Sequence, residues 1–152
     1  MTARMHRRTL LVAAAILTLF MVGQMTLAGN ADARRVVLGA HAFAPNGFGF
    51  GAAHPKRIFN GGDPNGYVRH VRWSGWGGKV ARGRGKGSQF KPSGGYYAKS
   101  VRVKLRAANK GRCRPHGPIA YRSLWATMQK YPGGPFMRWF KWSGSKTICR
   151  FG

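Results

Sequence analysis

The sequence predicts an all-β fold, a small disulfide-closed β-sandwich or barrel-like domain, and three observations lead to that expectation. Turn signals recur at short intervals from residue 56 onward, among them Asn60-Gly61, Asn65-Gly66, Gly77-Gly78, Gly94-Gly95 and Pro132-Gly133-Gly134-Pro135. Segments that short between turns suit strands better than helices. From Ser100 to Arg106, Val101, Val103 and Leu105 alternate with Arg102, Lys104 and Arg106, which is the period of a strand with one apolar and one cationic face. The third observation is a single cysteine pair, Cys113 and Cys149, in a chain that reads as exported; a disulfide is the default state of such a pair.

The expected order of segments starts with a leader. Arg4, Arg7 and Arg8 precede an apolar run from Leu10 to Gly23, and Ala31-Asp32-Ala33 places small residues where a signal peptidase reads. Residues 1–33 are therefore expected to be a secretory signal peptide; a cut after Ala28 is the alternative and would leave Asp32 in the product. The apolar run is shorter than the roughly 18 to 20 residues that span a bilayer. Residues 34–54 hold Phe43, Phe48 and Phe50 among glycines and alanines with no sustained period, and are expected to form a flexible arm. Residues 55–152 are the expected β-rich domain.

Within that domain Tyr67 to Ser74 and Phe136 to Trp142 are strand-like, and Ser143-Gly144-Ser145 is placed to turn the latter back into Lys146 to Phe151 as a hairpin. Residues 119–131 fit two periods. Ile119, Tyr121 and Trp125 suit a strand, whereas Ala120, Leu124, Met128 and Tyr131 fall at helical spacing behind Pro118; the strand is preferred.

Charge narrows the function. The 152 residues include 27 Lys and Arg but only Asp32 and Asp63 as acids, a formal +25. Beyond residue 33, 24 bases face Asp63 alone, about +23. Paired-carboxylate glycosidases, carboxylate-caged Ca²⁺ or Mg²⁺ sites and Ser-His-Asp triads lack their raw material. Ile, Leu, Val and Phe make up 21 of the 119 residues beyond position 33, just under the roughly 20% level at which a highly charged chain is usually disordered. All five tryptophans lie in that part, and their large burial favours a folded domain.

The segment Trp73-Ser74-Gly75-Trp76-Gly77-Gly78, followed by Ala81, Gly83 and Gly85, resembles a W-S-x-W-G-x-x-x-A-x-G-x-G signature of an uncharacterised family of small exported proteins of high-GC Gram-positive bacteria. Pro55-Lys56-Arg57-Ile58, Asp63-Pro64-Asn65, the strand from Val101 to Leu105 and Cys113 are similar to further elements of that family. The similarity covers residues 55–127. It implies export and a compact β-rich fold and nothing catalytic. Gly61-Gly62 stands where such relatives carry a cysteine, so the resemblance implies that Cys149 replaces the missing partner of Cys113.

Several constellations are candidate sites. Arg82-Gly83-Arg84-Gly85-Lys86-Gly87-Ser88 has neither the Gly-Lys-Ser/Thr of a P-loop nor the G-x-G-x-x-G of a dinucleotide turn; it is expected to be a mobile basic loop open to anions. Arg102, Lys104 and Arg106 repeat a charge about every 6.5 to 7 Å along a strand, a spacing suited to a linear polyanion, with Lys99, Lys110, Arg112 and Arg114 extending the run. Trp73 and Trp76 are expected in the core or, less readily, as a stacking platform for a sugar or base. His54, His70 and His116 could serve a secreted ribonuclease as acid and base, but no spacing supports it. The cysteine pair with His116 lacks metal-ligand spacing, and neither metal nor cofactor is expected.

The expected function is that of a secreted or envelope-associated, non-enzymatic monomer. It would bind anionic cell-envelope polymers or extracellular nucleic acid through Arg82, Arg84, Lys86, Arg102, Lys104 and Arg106. A cationic antibacterial protein acting on anionic lipid surfaces is the alternative.

Overall fold

A computed structural model describes residues 36–150; the expected signal peptide and Phe151 lie outside the described residues. The described residues form seven strands: β1 (Val37–Leu38), β2 (Ile58–Phe59), β3 (Tyr67–Ser74), β4 (Ala81–Gly87), β5 (Val101–Arg112), β6 (Ile119–Met128) and β7 (Phe140–Lys141). They make one sheet in the order β1-β6-β5-β4-β3-β2, with β7 also on β6. The sheet is curled into a half-barrel, so the barrel-like form of the expected fold is the one adopted. Every pairing is antiparallel except β1 with β6.

The alternation expected around Val101 extends into the long β5, whose first seven residues are alternately buried and exposed. Residues 119–131 resolve in favour of strand, as β6 over Ile119–Met128. Its register puts Met128, Ala126 and Leu124 opposite Val103, Leu105 and Ala107, so the apolar rows of the two strands coincide on one face. Tyr121 is fully buried beside Trp76, and its hydroxyl donates to the Gly78 carbonyl at 3.0 Å. Burial pushes that phenol above its ordinary pKa, so it stays a donor at neutral pH.

The segment 82–88 is not a mobile loop. Up to Gly87 it is β4, hydrogen-bonded between β3 and β5, with bases and glycines on opposite faces. A Cβ at Gly83 would come within 3.1 Å of Trp73 and Leu105, and one at Gly85 within 2.7 Å of Val68 and 2.9 Å of the Arg69 carbonyl. Side chains of the flanking strands occupy the space over the glycines, which explains a strand built from residues of low strand propensity.

Residues 36–54 correct the expectation of a flexible arm. Leu38, Phe43 and Phe50 are buried in the core with Ile58, Val68, Val103 and Leu105. Gly49 and Gly51, at φ +94° and +78°, fold the segment back; the Leu38 amide donates to the Ala52 carbonyl at 2.9 Å and the Gly51 amide to the Leu38 carbonyl at 2.7 Å. The segment lacks a period because it covers the sheet as irregular chain; burying each large side chain is worth about 1.5 to 3 kcal/mol.

The expected C-terminal hairpin is also corrected. Ser143 and Gly144 have positive φ, but the chain beyond them pairs elsewhere: Ile148 donates to the Arg122 carbonyl at 2.8 Å and accepts from Ala40 at 3.0 Å. The expected Cys113–Cys149 disulfide is present, joining this segment to the chain just after β5 across 36 positions.

Because the space over Gly85 is filled, Gly85→Ala is expected to lower stability by about 1 to 3 kcal/mol in urea unfolding, whereas Gly62→Ala should change it by less than about 0.5 kcal/mol. At Gly62 an added Cβ would meet only the Asn60 side chain, at 3.8 Å. Equal effects would contradict the packing role given to the glycine row.

Candidate polyanion-binding face

The six bases expected to act together are brought onto one face of the sheet. Register pairs Arg82 with Arg106, Arg84 with Lys104 and Lys86 with Arg102, and all six are exposed. Opposed residues of antiparallel strands point to the same side with Cβ atoms about 4.5 to 5.5 Å apart. The result is three rungs of like charge, spaced about 6.5 to 7 Å along the strands.

A bulge in β3 extends the rungs. Two residues, His70 and Val71, lie between Arg69 and Arg72 while β4 has only Gly85 in between, so Arg69 pairs with Lys86 and Arg72 with Arg84. His70 takes φ +54°, and the Val71 amide bonds to the Lys56 carbonyl at 2.9 Å. Strict alternation would have sent Arg69 and Arg72 to opposite faces; the extra residue puts both on the charged one. Sequence reasoning missed these two arginines, and the only hint was a histidine interrupting the apolar alternation.

A groove of about 1070 Å³ runs over this face, lined by Arg72, Arg82, Arg84, Lys104 and Arg106, together with Trp73, Trp125 and Trp139, and by no acidic residue. Trp125, on β6, lies opposite Arg106 of β5 and Lys141 of β7, and Lys141 Nζ sits 5.6 Å from its ring centre. Trp139, in the segment leading into β7, is 47% exposed. That segment is anchored to β6: Thr127 donates to the Met137 carbonyl at 2.6 Å, and Met137 donates to Met128 at 2.9 Å. Lys104 Nζ lies 4.1 Å from the Phe136 ring centre. Trp125 and Trp139 were not foreseen as site residues, although the run Met137-Arg138-Trp139-Phe140-Lys141 mixes aromatics and bases in the sequence.

Trp73 and Trp76 do not form an exposed pair. Their rings meet edge to face at 4.9 Å, and their indole nitrogens donate to Pro55 and Val36 carbonyls at 2.9 and 3.0 Å. Trp76 is buried, whereas Trp73 is partly buried and packs against the core over Gly83, on the side of the sheet away from the bases. Of the outlying bases, Lys110 and Arg112 are used locally, on the carbonyls of Gly77 and Gly117. His54 packs on Trp76 at 4.7 Å, His70 occupies the bulge, and His116 lies in the turn after Cys113; the described contacts bring no two of them together. Among the described residues no cluster of His, Cys, Asp or Glu could hold a metal ion, and no helix is long and apolar enough to cross a membrane.

Among the described residues, the side chains of Arg72, Arg82, Arg84 and Arg106 make no hydrogen bond or ion pair. Their guanidinium groups face solvent with all donors free for an oxyanion, which they can grip in forked pairs. Comparison with family models, curated proteins and solved structures finds no match.

Like charges directly opposite destabilise a sheet, and salt screens them over a Debye length of about 10 Å at 0.1 M. Stability in urea is therefore expected to rise between about 10 and 300 mM NaCl, and Arg84→Gln, which touches two rungs, should shrink that rise. A midpoint indifferent to salt in both proteins would show that the rungs do not repel appreciably.

Proposed function

We propose that the chain is an exported, non-enzymatic protein that binds anionic polymers of the cell envelope or extracellular nucleic acid through the β3-β4-β5 face. The observation behind this reading is the ladder of five like-charge cross-strand pairs, Arg69–Lys86, Arg72–Arg84, Arg82–Arg106, Arg84–Lys104 and Lys86–Arg102, on a surface whose groove has no acid in its lining. An ordinary exposed strand intersperses both signs. Here the field sums over a continuous sheet face, attracts polyanions from a distance and is partly neutralised by them. Export rests on the leader-like N-terminus, and the disulfide Cys113–Cys149 is compatible with it.

The test is chromatography on immobilised heparin and on teichoic acid. Retention is expected at about 50 mM salt and should be lost by about 200 mM, since 6 to 10 phosphate-like contacts cost about 10³ to 10⁵ in affinity over that range. A variant with Arg82, Arg84, Lys104 and Arg106 changed to Gln should elute well before one with Lys56, Lys79, Lys130 and Lys146 changed to Gln, although both lose the same charge. Identical elution would make the interaction a matter of net charge, and absence of retention at low salt would remove the proposal.

A further inference from the structure

Charge alone accounts for the rungs but leaves the indoles at the groove unexplained. Trp139 is 47% exposed, no more than Phe90 or Tyr131 at 48%, but of these exposed aromatics it is the one that lines the cationic groove. Its neighbour Phe140 is also exposed, and Trp125 is half-buried beside the Arg106 rung. The wall bearing Trp139 is held against β6 by the Thr127 and Met137 hydrogen bonds, so this ring stands at a fixed edge of the cationic field. A ringless polyanion such as polyphosphate would neutralise the bases and leave both indoles uncovered. A duplex would present phosphates but keep its bases stacked internally.

A single strand satisfies both halves of the groove: its phosphates meet the bases while its unpaired rings stack on indole. Six of the eight bases on the face are arginines, Lys86 and Lys104 being the exceptions. The arginine fork matches phosphate and also lies flat on a base. A glycan with anionic groups could cover the tryptophans with sugar rings, but it would not use the second property of arginine.

We propose that this groove binds single-stranded nucleic acid without sequence preference, with phosphates on Arg72, Arg82, Arg84 and Arg106 and unpaired bases on Trp139 and Trp125. This deepens, and rests on, the reading that the face takes polyanions.

Binding of the full exported chain to a short oligothymidylate, the same length of duplex DNA, polyphosphate of equal charge and heparin tests it at one salt concentration. The oligothymidylate is expected to bind about tenfold more tightly than polyphosphate and to quench tryptophan emission. Trp139→Ala should weaken oligothymidylate binding by about 5- to 100-fold and leave polyphosphate unchanged, while Trp139→Phe restores most of the loss. Because Trp139 is half-exposed, neither change should disturb folding, and unaltered polyphosphate binding serves as the check.

Equal affinity for oligothymidylate and polyphosphate, or no effect of Trp139→Ala on the oligonucleotide, overturns the stacking proposal while the polyanion reading stands. Tighter binding of duplex or heparin than of single strand overturns it in the same way. Failure to bind any of the four removes both.

Discussion

The constraint on which the rest of the structure depends is that a sheet with almost no internal counter-charge must hold like charges opposite one another. Each rung costs roughly a few tenths of a kcal/mol when exposed to solvent and salt. Against a net stability of about 5 to 15 kcal/mol for a domain of this kind, several rungs are tolerable only if the opposite face is well buried. That burial is supplied from outside the β3-β4-β5 unit: Leu38, Phe43 and Phe50 close the core from the N-terminal side, and Trp142 and Ile148 close it from the C-terminal side. The disulfide between Cys113 and Cys149 then ties the second cover to the end of the longest strand. In the chain-entropy model it contributes about 4 kcal/mol, more than the roughly 1 to 2 kcal/mol that five such rungs cost.

The glycines of β4 belong to the same arrangement. With no side chains at positions 83, 85 and 87, the core-facing side of β4 is filled by Trp73, Val68, Val71, Leu105 and Val103 from the adjoining strands. A strand of alternating arginine and glycine therefore contributes charge to one face and accommodates its neighbours' bulk on the other. The two roles of the Arg-Gly repeat are separated by the pleat of the strand, and neither needs a mobile loop.

Much of the fold was legible where the period was clean. Val101 to Arg106 alternates strictly and became the first half of β5; Tyr67 to Ser74 became β3 at the expected bounds. Cysteine arithmetic reached the disulfide. The failures have physical causes. Gly83, Gly85 and Gly87 led to the expectation of a mobile loop that tertiary packing overrode, because neighbouring side chains supplied the bulk glycine lacks. Phe43 and Phe50 lost their periodicity to positive-φ glycines, so chain covering the core looked like chain outside it. The six foreseen bases lie on one face, and two independent sequence features, a supposed loop and a strand, turned out to be opposed strands in one register. Arg69 and Arg72 required a bulge, and Trp125 and Trp139 required knowledge of which edge of β6 receives β7; alternation within a single segment encodes neither.

Placing these bases on strands rather than in a loop matters for the proposed function. A flexible arginine-glycine loop loses backbone freedom for every residue it orders on a ligand, a cost of about 1 to 2 kcal/mol each. In β4 the ladder to β3 and β5 has already fixed that backbone, so only side-chain rotamers remain to be ordered on binding. The same rigidity fixes the spacing of the charges, which a loop cannot do. A polymer whose anionic groups can match about 5 Å across the strands and about 6.5 to 7 Å along them gains contacts without deforming the protein. Anions held at a poorly matched interval gain only the diffuse field. The sheet thus converts an unspecific property, a large positive charge, into a geometric one, and in the proposed reading the tryptophans at the edge of the groove would add a preference that charge by itself does not possess.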